Sequence, residues 1–420
     1  MSVPNSSLTL PAVRHTQGAR LRNLILTWVF LGVLVLVTPV VVAYLASVQG
    51  QTVFIQTAAS MLAMVPLAFV VWALHIIDRW EPEPLLIKVA TALWGGIGAI
   101  LMTLGIAIPL TGFLVNAGIL QNRAQLEFYS AVIQAPVVEE LAKAIPLLFL
   151  FLFMRKQIDG PIDGMVIAGL SAAGFAYTEN IQYFSGQLID SGDASLIFVM
   201  RGIMSPLTHA IFTAMGFGLM MGLVAHRSRW WALAMFPAGW AISTFLPALW
   251  NGSSVVLGSG FFLGYFFIQV PIAIGSAVVI IMLVRSEAKL TRMRLTEYAD
   301  AGWLSYEEAH RLSSGDGRTQ LVRWARARGL RSLMMRYIQA ATRLAFNRQR
   351  TITGRTFRES QGQEADSLAL FSQIRQELLA KSSGDLTMGN PGAHLAQTND
   401  RSHFGDEYFA APGAQYPHRF

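Results

Sequence analysis

The sequence contains no cysteine, and its charged residues are few: Asp, Glu, Lys and Arg together make up 14% of 420 residues. The missing thiol excludes disulfides, thiolate metal sites and a cysteine nucleophile. It does not fix a compartment, because membrane proteins need no disulfide. A soluble domain carries about 25% charged residues, so the deficit points to a chain much of which faces a solvent other than water. Apolar side chains fill the gap at 53%, with a mean hydropathy of +0.45. The net charge of +7 would suit nucleic acid. The basic residues, however, flank apolar runs and crowd the C-terminal part, where membrane topology and anionic lipid account for them more simply. No nucleic-acid partner is expected.

A spanning helix needs about 20 mostly apolar residues. Eight segments meet this: 24–48, 53–77, 86–115, 131–154, 161–183, 204–225, 230–250 and 261–284. The first follows Arg14, Arg20 and Arg22. It exceeds the apolar core of a signal peptide, usually about 7–15 residues, and is read as an uncleaved anchor. With the N-terminus inside, the inner loops carry Arg79, Lys88, Arg155, Lys156, Arg227 and Arg229, and Arg285, Lys289, Arg292 and Arg294 follow the last segment. The outer loops carry only Arg123 and Arg201. This asymmetry obeys the positive-inside rule and predicts a multi-pass plasma-membrane protein with both termini cytoplasmic.

The expected fold class is therefore all-α: a polytopic membrane bundle of about eight transmembrane helices with a C-terminal cytoplasmic helical region. The expected divisions are a cytoplasmic segment 1–22, a membrane domain 23–285, a helical region 286–383 and a disordered tail 384–420. In the helical region, Ser305-Tyr-Glu-Glu308 reads as a helix N-cap followed by acids, and a second helix start is expected near Thr319.

Ionisable groups inside a bilayer are costly and are functional candidates by default. Here they are few and grouped. Glu139, Glu140 and Lys143 interrupt the fourth segment, Glu179 and Asn180 lie near the end of the fifth, His209 lies early in the sixth, and Asn251 ends the seventh. With the stated orientation all fall in the outer half of the bilayer. Carboxylates in apolar surroundings can serve as general bases, histidine and carboxylates can hold a divalent metal that activates water, and asparagine can donate to an oxyanion. Together these suggest amide hydrolysis within the membrane. Blander readings stand beside this one. Glu139, Glu140 and Lys143 can form a packing ion pair, His209 an interhelical hydrogen bond, and Asn251-Gly252 a helix end. Spacing alone leaves an ion-coupled transporter open as well.

At these residues the chain resembles the PrsW family of intramembrane proteases, related to the CAAX-protease and bacteriocin-processing group. The resemblance covers about 78–251. It rests on Asp78-Arg-Trp-Glu-Pro-Glu-Pro84 ahead of Trp94-Gly95-Gly96, on Glu139-Glu140-Leu-Ala-Lys143 as an EExxK motif, and on Gly174-Phe175-Ala-Tyr-Thr-Glu179-Asn180. Pro206-Leu-Thr-His209 and Trp250-Asn251 complete it. The family implies hydrolysis of membrane-anchored, single-span proteins with a divalent metal, expected to be zinc. The matching positions imply Glu139 and Glu140 as water activator and ligand, Glu179 as polarising carboxylate, His209 as ligand or oxyanion partner, and Asn251 as oxyanion donor. The implied metal ligands are Glu140, Glu179 and His209. One position departs: where the family pattern has a histidine four residues before the asparagine, this chain has Pro247. Proline cannot bind a metal, and this raises the alternative of a pseudoprotease that binds transmembrane partners without cutting them. The oligomeric state is not legible.

Overall fold

The computed structural model describes residues 52–382, apart from 81, 155–157, 159, 226, 228, 258–260 and 354–356. The expected helix at 24–48, the loop cations Arg155 and Lys156, and the tail 384–420 lie outside the described residues. Among those described, every regular element is a helix. The chain divides into two compact units, Met1–Val284 and Arg285–Phe420.

In the first unit the helices are α1 (Val53–Ile77), α2 (Leu85–Asn116), α3 (123–153), α4 (Pro161–Ser191), α5 (Ser195–Leu223), α6 (Arg229–Leu257) and α7 (261–300), the last running on into the second unit. Among the described residues five helices are long and apolar enough to cross a membrane: α1, α2, α5, α6 and α7. The helices α3 and α4 hold most of the buried polar residues at the candidate site. Carrying those residues makes them less apolar than their neighbours, and packing shields them.

The helix α4 is the centre of the unit and touches α1, α2, α3 and α5. Its start is fixed locally. Pro161 takes the first helical position, where a missing N–H costs nothing, and the Asp163 carboxylate accepts from the Gly160 N–H at 3.2 Å. Gly192, at φ 73°, ends it in the left-handed conformation. The helix thus reaches Ser191 rather than residue 183, and Glu179 lies twelve residues, or about 18 Å, before its end. Two other expectations change in the same way. Arg201 falls inside α5 rather than in a loop, and α6 continues to Leu257, so Asn251 and Gly252 lie within a helix and do not end one.

The helices α2 and α4 cross at very short range. A Cβ at Gly174 would strike the Ala92 carbonyl, and one at Gly95 would strike the Ser171 carbonyl. Small residues allow such backbone approach between membrane helices. The Thr178 hydroxyl donates to the Gly96 carbonyl at 2.7 Å across the same contact. Gly174→Val is therefore expected to separate the pair and destabilise the bundle by at least about 2 kcal/mol, read as a lower midpoint in detergent unfolding.

Regular α-helix is interrupted by π-turns at Trp94–Ala99, Tyr129–Gln134, Val199–Met204, Ala214–Gly218 and Tyr265–Gln269. Such turns re-aim side chains and often flank functional sites. At residues 205–207 α5 breaks outright, where Pro206 lacks the N–H needed to continue. The freed Met204 carbonyl accepts from the Tyr265 hydroxyl at 2.9 Å. His209 sits in the first turn after the break.

The second unit contains α8 (Tyr306–Ser313), α9 (Gly315–Arg326), α10 (Arg331–Thr353) and α11 (Phe357–Lys381). A capping box opens α8, with the Ser305 side chain accepting from the Glu308 N–H at 3.1 Å. The helix expected near Thr319 starts earlier, at Gly315, because Ser314 caps it. The Glu308 carboxylate turns inward, fully buried, and accepts two bonds from Arg375 at 2.9 Å each and one from the Tyr337 hydroxyl at 2.8 Å. Burial and that carboxylate push the Tyr337 phenol well above its ordinary value.

Candidate active site

Two indoles brace α3 around its glutamates. The Trp94 Nε1–H donates to the Ala142 carbonyl at 2.9 Å, and the Trp240 Nε1–H donates to the Val137 carbonyl at 3.2 Å. Glu139 and Glu140 lie between these braces and Lys143 directly after Ala142, one turn on from the glutamates.

Lys143 is the hub. Its side chain is 1% exposed, and its Nζ donates to Glu139 Oε2 at 3.0 Å and to Glu140 Oε1 at 2.9 Å. The ammonium also lies 4.0 Å from the centroid of the Phe175 ring on α4, a favourable cation–π position. Its third neighbour is His209 Nδ1, at 3.3 Å. An ammonium can only donate, so Nδ1 must be the accepting nitrogen. The proton of a neutral imidazole then sits on Nε2, which lies 2.8 Å from Glu179 Oε2. This network assigns His209 as the Nε2–H tautomer, held between a cation and a carboxylate.

The remaining bonds complete the cluster. Glu140 Oε2 accepts from the Thr213 hydroxyl at 2.7 Å. Glu179 Oε2 also accepts from Arg201 at 2.8 Å, and the Arg201 Nε–H donates to Asn180 Oδ1 at 2.7 Å. The Arg201 guanidinium lies 4.0 Å from the Tyr183 ring centroid. Three carboxylates thus face two fixed cations, a formal charge of −1 with His209 neutral.

The carboxylates differ in access. Glu140 is 1% exposed, whereas the side chains of Glu139 and Glu179 are 17% and 19% exposed. Those two line one cavity of about 330 Å³, with Ile100, Thr103 and Leu104 from α2 and Phe175, Gln182 and Tyr183 from α4. Among the described residues the Thr103 hydroxyl has no hydrogen-bond partner although it is buried.

Four of the five residues to which the resemblance gives site roles therefore meet: Glu139, Glu140, Glu179 and His209. Asn251 does not join them. Its amide donates to the Ala131 carbonyl at 2.8 Å, eight residues or about 12 Å along α3 from Glu139. Pro247 is buried within α6. Sequence reading gives no site role to three participants: Lys143, which closes the EExxK motif, Arg201, which lies just before the sixth apolar segment, and Thr213. Thr213 lies four residues after His209, on the same helical face, and that spacing was the available signal.

The sequence resembles known proteins over this region. Residues 83–276 match the family described as PrsW family intramembrane metalloprotease. That segment is PrsW-like. A curated relative, "Protease PrsW" from Geobacillus kaustophilus (strain HTA426), is 26% identical over 196 residues, covering 42% of this chain and 80% of the relative. No solved structure matches. The PrsW match spans α2 to the start of α7 and includes every member of the cluster.

The PrsW description implies a metal, and the resemblance assigned its ligands as Glu140, Glu179 and His209. The donors here do not fit one. Both Glu140 oxygens are engaged, by Lys143 and Thr213. The Nδ1 lone pair of His209 faces Lys143 and its Nε2 carries the proton toward Glu179. Among the described residues no three His, Asp or Glu side chains group as a cation site. The ammonium of Lys143 fills the space among Glu139, Glu140 and His209.

Proposed function

We propose that this protein is an intramembrane endopeptidase that hydrolyses peptide bonds of membrane-anchored, single-span proteins. The observation that carries the reading is the convergence of Glu139, Glu179 and His209, from three helices, on one network beside a shared cavity. Glu139 Oε2 is pinned by Lys143, which leaves Oε1 for a water in the cavity. Glu139 takes that water's proton, and the resulting hydroxide attacks the carbonyl carbon of the substrate. Thr103 lines the same cavity, and its unpartnered hydroxyl would donate to the peptide oxygen once turned toward it. Glu139 then returns the proton to the leaving amine, which closes the balance of one water added across one amide bond. Glu179, held from both sides by Arg201 and His209, completes the cavity wall, and no step is routed through a metal.

The membrane topology belongs to the same reading. Five helices are apolar enough to span. The helices α3 and α4 are long enough and packed among them, and the apolar run 24–48, long enough in sequence to span, would bring the count to eight. With both termini in the cytoplasm of a plasma-membrane protein, Glu139, Glu179 and His209 lie near the mid-lengths of α3, α4 and α5, so the cluster sits closer to the bilayer centre than the outer-half position expected from the sequence, and a single-span substrate enters sideways from lipid.

The test uses a single-span reporter co-reconstituted in liposomes. His209→Ala is expected to lower cleavage by about 100-fold or more, the range for misplacing a reacting group, because it removes one of the contacts that hold Lys143 and, through it, Glu139. Asn251→Ala is expected to keep most of the wild-type rate, because Asn251 braces α3 and not the cavity. Equal activity of wild type and His209→Ala would overturn the assignment. A second reading, a pseudoprotease that binds spans without cutting, is favoured by Pro247 and by the ammonium at the centre of the cluster. It requires that no reporter be turned over. Metal analysis of the purified protein bears on both: the donor geometry predicts well under one ion per chain. A stoichiometric ion lost in His209→Ala would show that Lys143 vacates its place.

A further inference from the structure

From Gly317 to Arg358 the chain has eleven arginines and no lysine, aspartate or glutamate. The second unit sorts these arginines by direction. Arg318 turns inward, donating to the Leu312 carbonyl at 2.6 Å and to Thr342 at 2.9 Å, and Arg348 pairs with Glu297 and Glu364. Arg350 is half-buried and donates to Asn347 Oδ1 at 3.3 Å, and six others point outward. Arg323 and Arg326 are exposed at the end of α9, Arg328 and Arg331 at the turn into α10, and Arg336 and Arg343 along the outer face of α10.

Arg336 and Arg343 are seven residues apart, two turns on one helical face and about 10 Å along the axis. Arg336 approaches Glu377 only at 4.0 Å, with both side chains open to solvent. For Arg323, Arg326, Arg331 and Arg343 no carboxylate lies within ion-pair distance among the described residues. Trp324 stands among them, with the Arg328 guanidinium 4.5 Å from its ring centroid. Six exposed guanidiniums within 21 residues, with no neutralising acid in the stretch, are unlike an ordinary solvated helix face, where charges of both signs alternate.

We propose that this face binds the phosphate headgroups of an anionic lipid surface. Guanidinium is the side chain suited to phosphate, offering paired donors in a fixed plane. A membrane is favoured over nucleic acid because the unit follows directly on a helix apolar enough to span, 262–300. The tether holds the patch at high effective concentration near a bilayer, so that the attraction each cation gains near anionic lipid suffices. Trp324 adds a ring of the kind enriched at membrane interfaces.

The chain's lack of cysteine makes the test site-specific. Ser332→Cys, exposed beside Arg331 and Arg336, is labelled with a fluorophore in the full-length protein. The protein is then placed in nanodiscs of phosphatidylcholine alone or with phosphatidylglycerol, each containing a headgroup quencher. The expected result is quenching with phosphatidylglycerol that falls at least fivefold in phosphatidylcholine, in 0.5 M salt, and in the quadruple variant R323Q/R326Q/R331Q/R343Q. All four substitutions are on the surface, and an unchanged melting curve checks that the unit stays folded. Equal quenching in both lipids, or none in either, overturns the proposal. Saturable binding of poly(U) that removes the quenching and needs the same arginines overturns it in favour of nucleic acid.

Discussion

Replacing Lys143 by methionine is expected to cost about 3–5 kcal/mol of stability, the range for breaking a buried ion pair from one side, and to abolish hydrolysis. Methionine keeps the volume and removes the charge. Glu140, 1% exposed, would then retain only the Thr213 hydroxyl on one oxygen. Glu139 would lose the bond that orients it, and His209 would lose the donor that sets its tautomer. The double variant E140Q/K143M separates the two effects. It removes the uncompensated buried charge and is expected to recover most of the stability, yet no activity, because Glu139 and His209 remain unanchored. Thermal unfolding in detergent gives the first number and reporter cleavage the second. If K143M alone kept wild-type stability, the ammonium would not be the hub that the geometry describes.

Glu139→Gln is expected to lower cleavage by at least about 1000-fold, within the range seen for losing a general base, with little change in folding. The amide is nearly isosteric and can still accept from Lys143 through its oxygen, so the cluster keeps its shape while the proton acceptor is gone. Glu140→Gln should behave differently. Glu140 does not line the cavity, and its role is to hold Lys143 and Thr213. Its loss should show more in stability than in the chemical step. A reversed ranking, with Glu140 essential to the rate and Glu139 dispensable, would mean that the cluster opens on another side.

Much of this arrangement was legible because of the solvent. In an apolar run a glutamate or histidine stands out, so Glu139, Glu140, Glu179 and His209 could be read before any geometry was known. The same logic misled at the edges. A charge marks the end of an apolar window and so sets Arg201 among the loop cations, whereas Glu179, Asn180 and Tyr183 of α4 neutralise and cover it on α5. Asn251 beside Gly252 resembled a helix terminus, but α6 runs on to Leu257 and the Asn251 side chain is spent on the Ala131 carbonyl. The break at Pro206 and the π-turns depend on which carbonyls find partners on other helices, and no single segment carries that information. Nor does spacing reveal which nitrogen of His209 bears the proton, since Lys143 and Glu179 decide it from two different helices.

The most direct test is to run the reaction in water enriched in oxygen-18 and weigh the products of a reconstituted single-span reporter. The account predicts a new C-terminal carboxyl carrying one oxygen-18 in wild type, formed at a position within the reporter's membrane span, and no such product from Glu139→Gln. Label incorporation at the same rate in Glu139→Gln, or an intact reporter with the wild-type protein across a panel of single-span sequences, would contradict it.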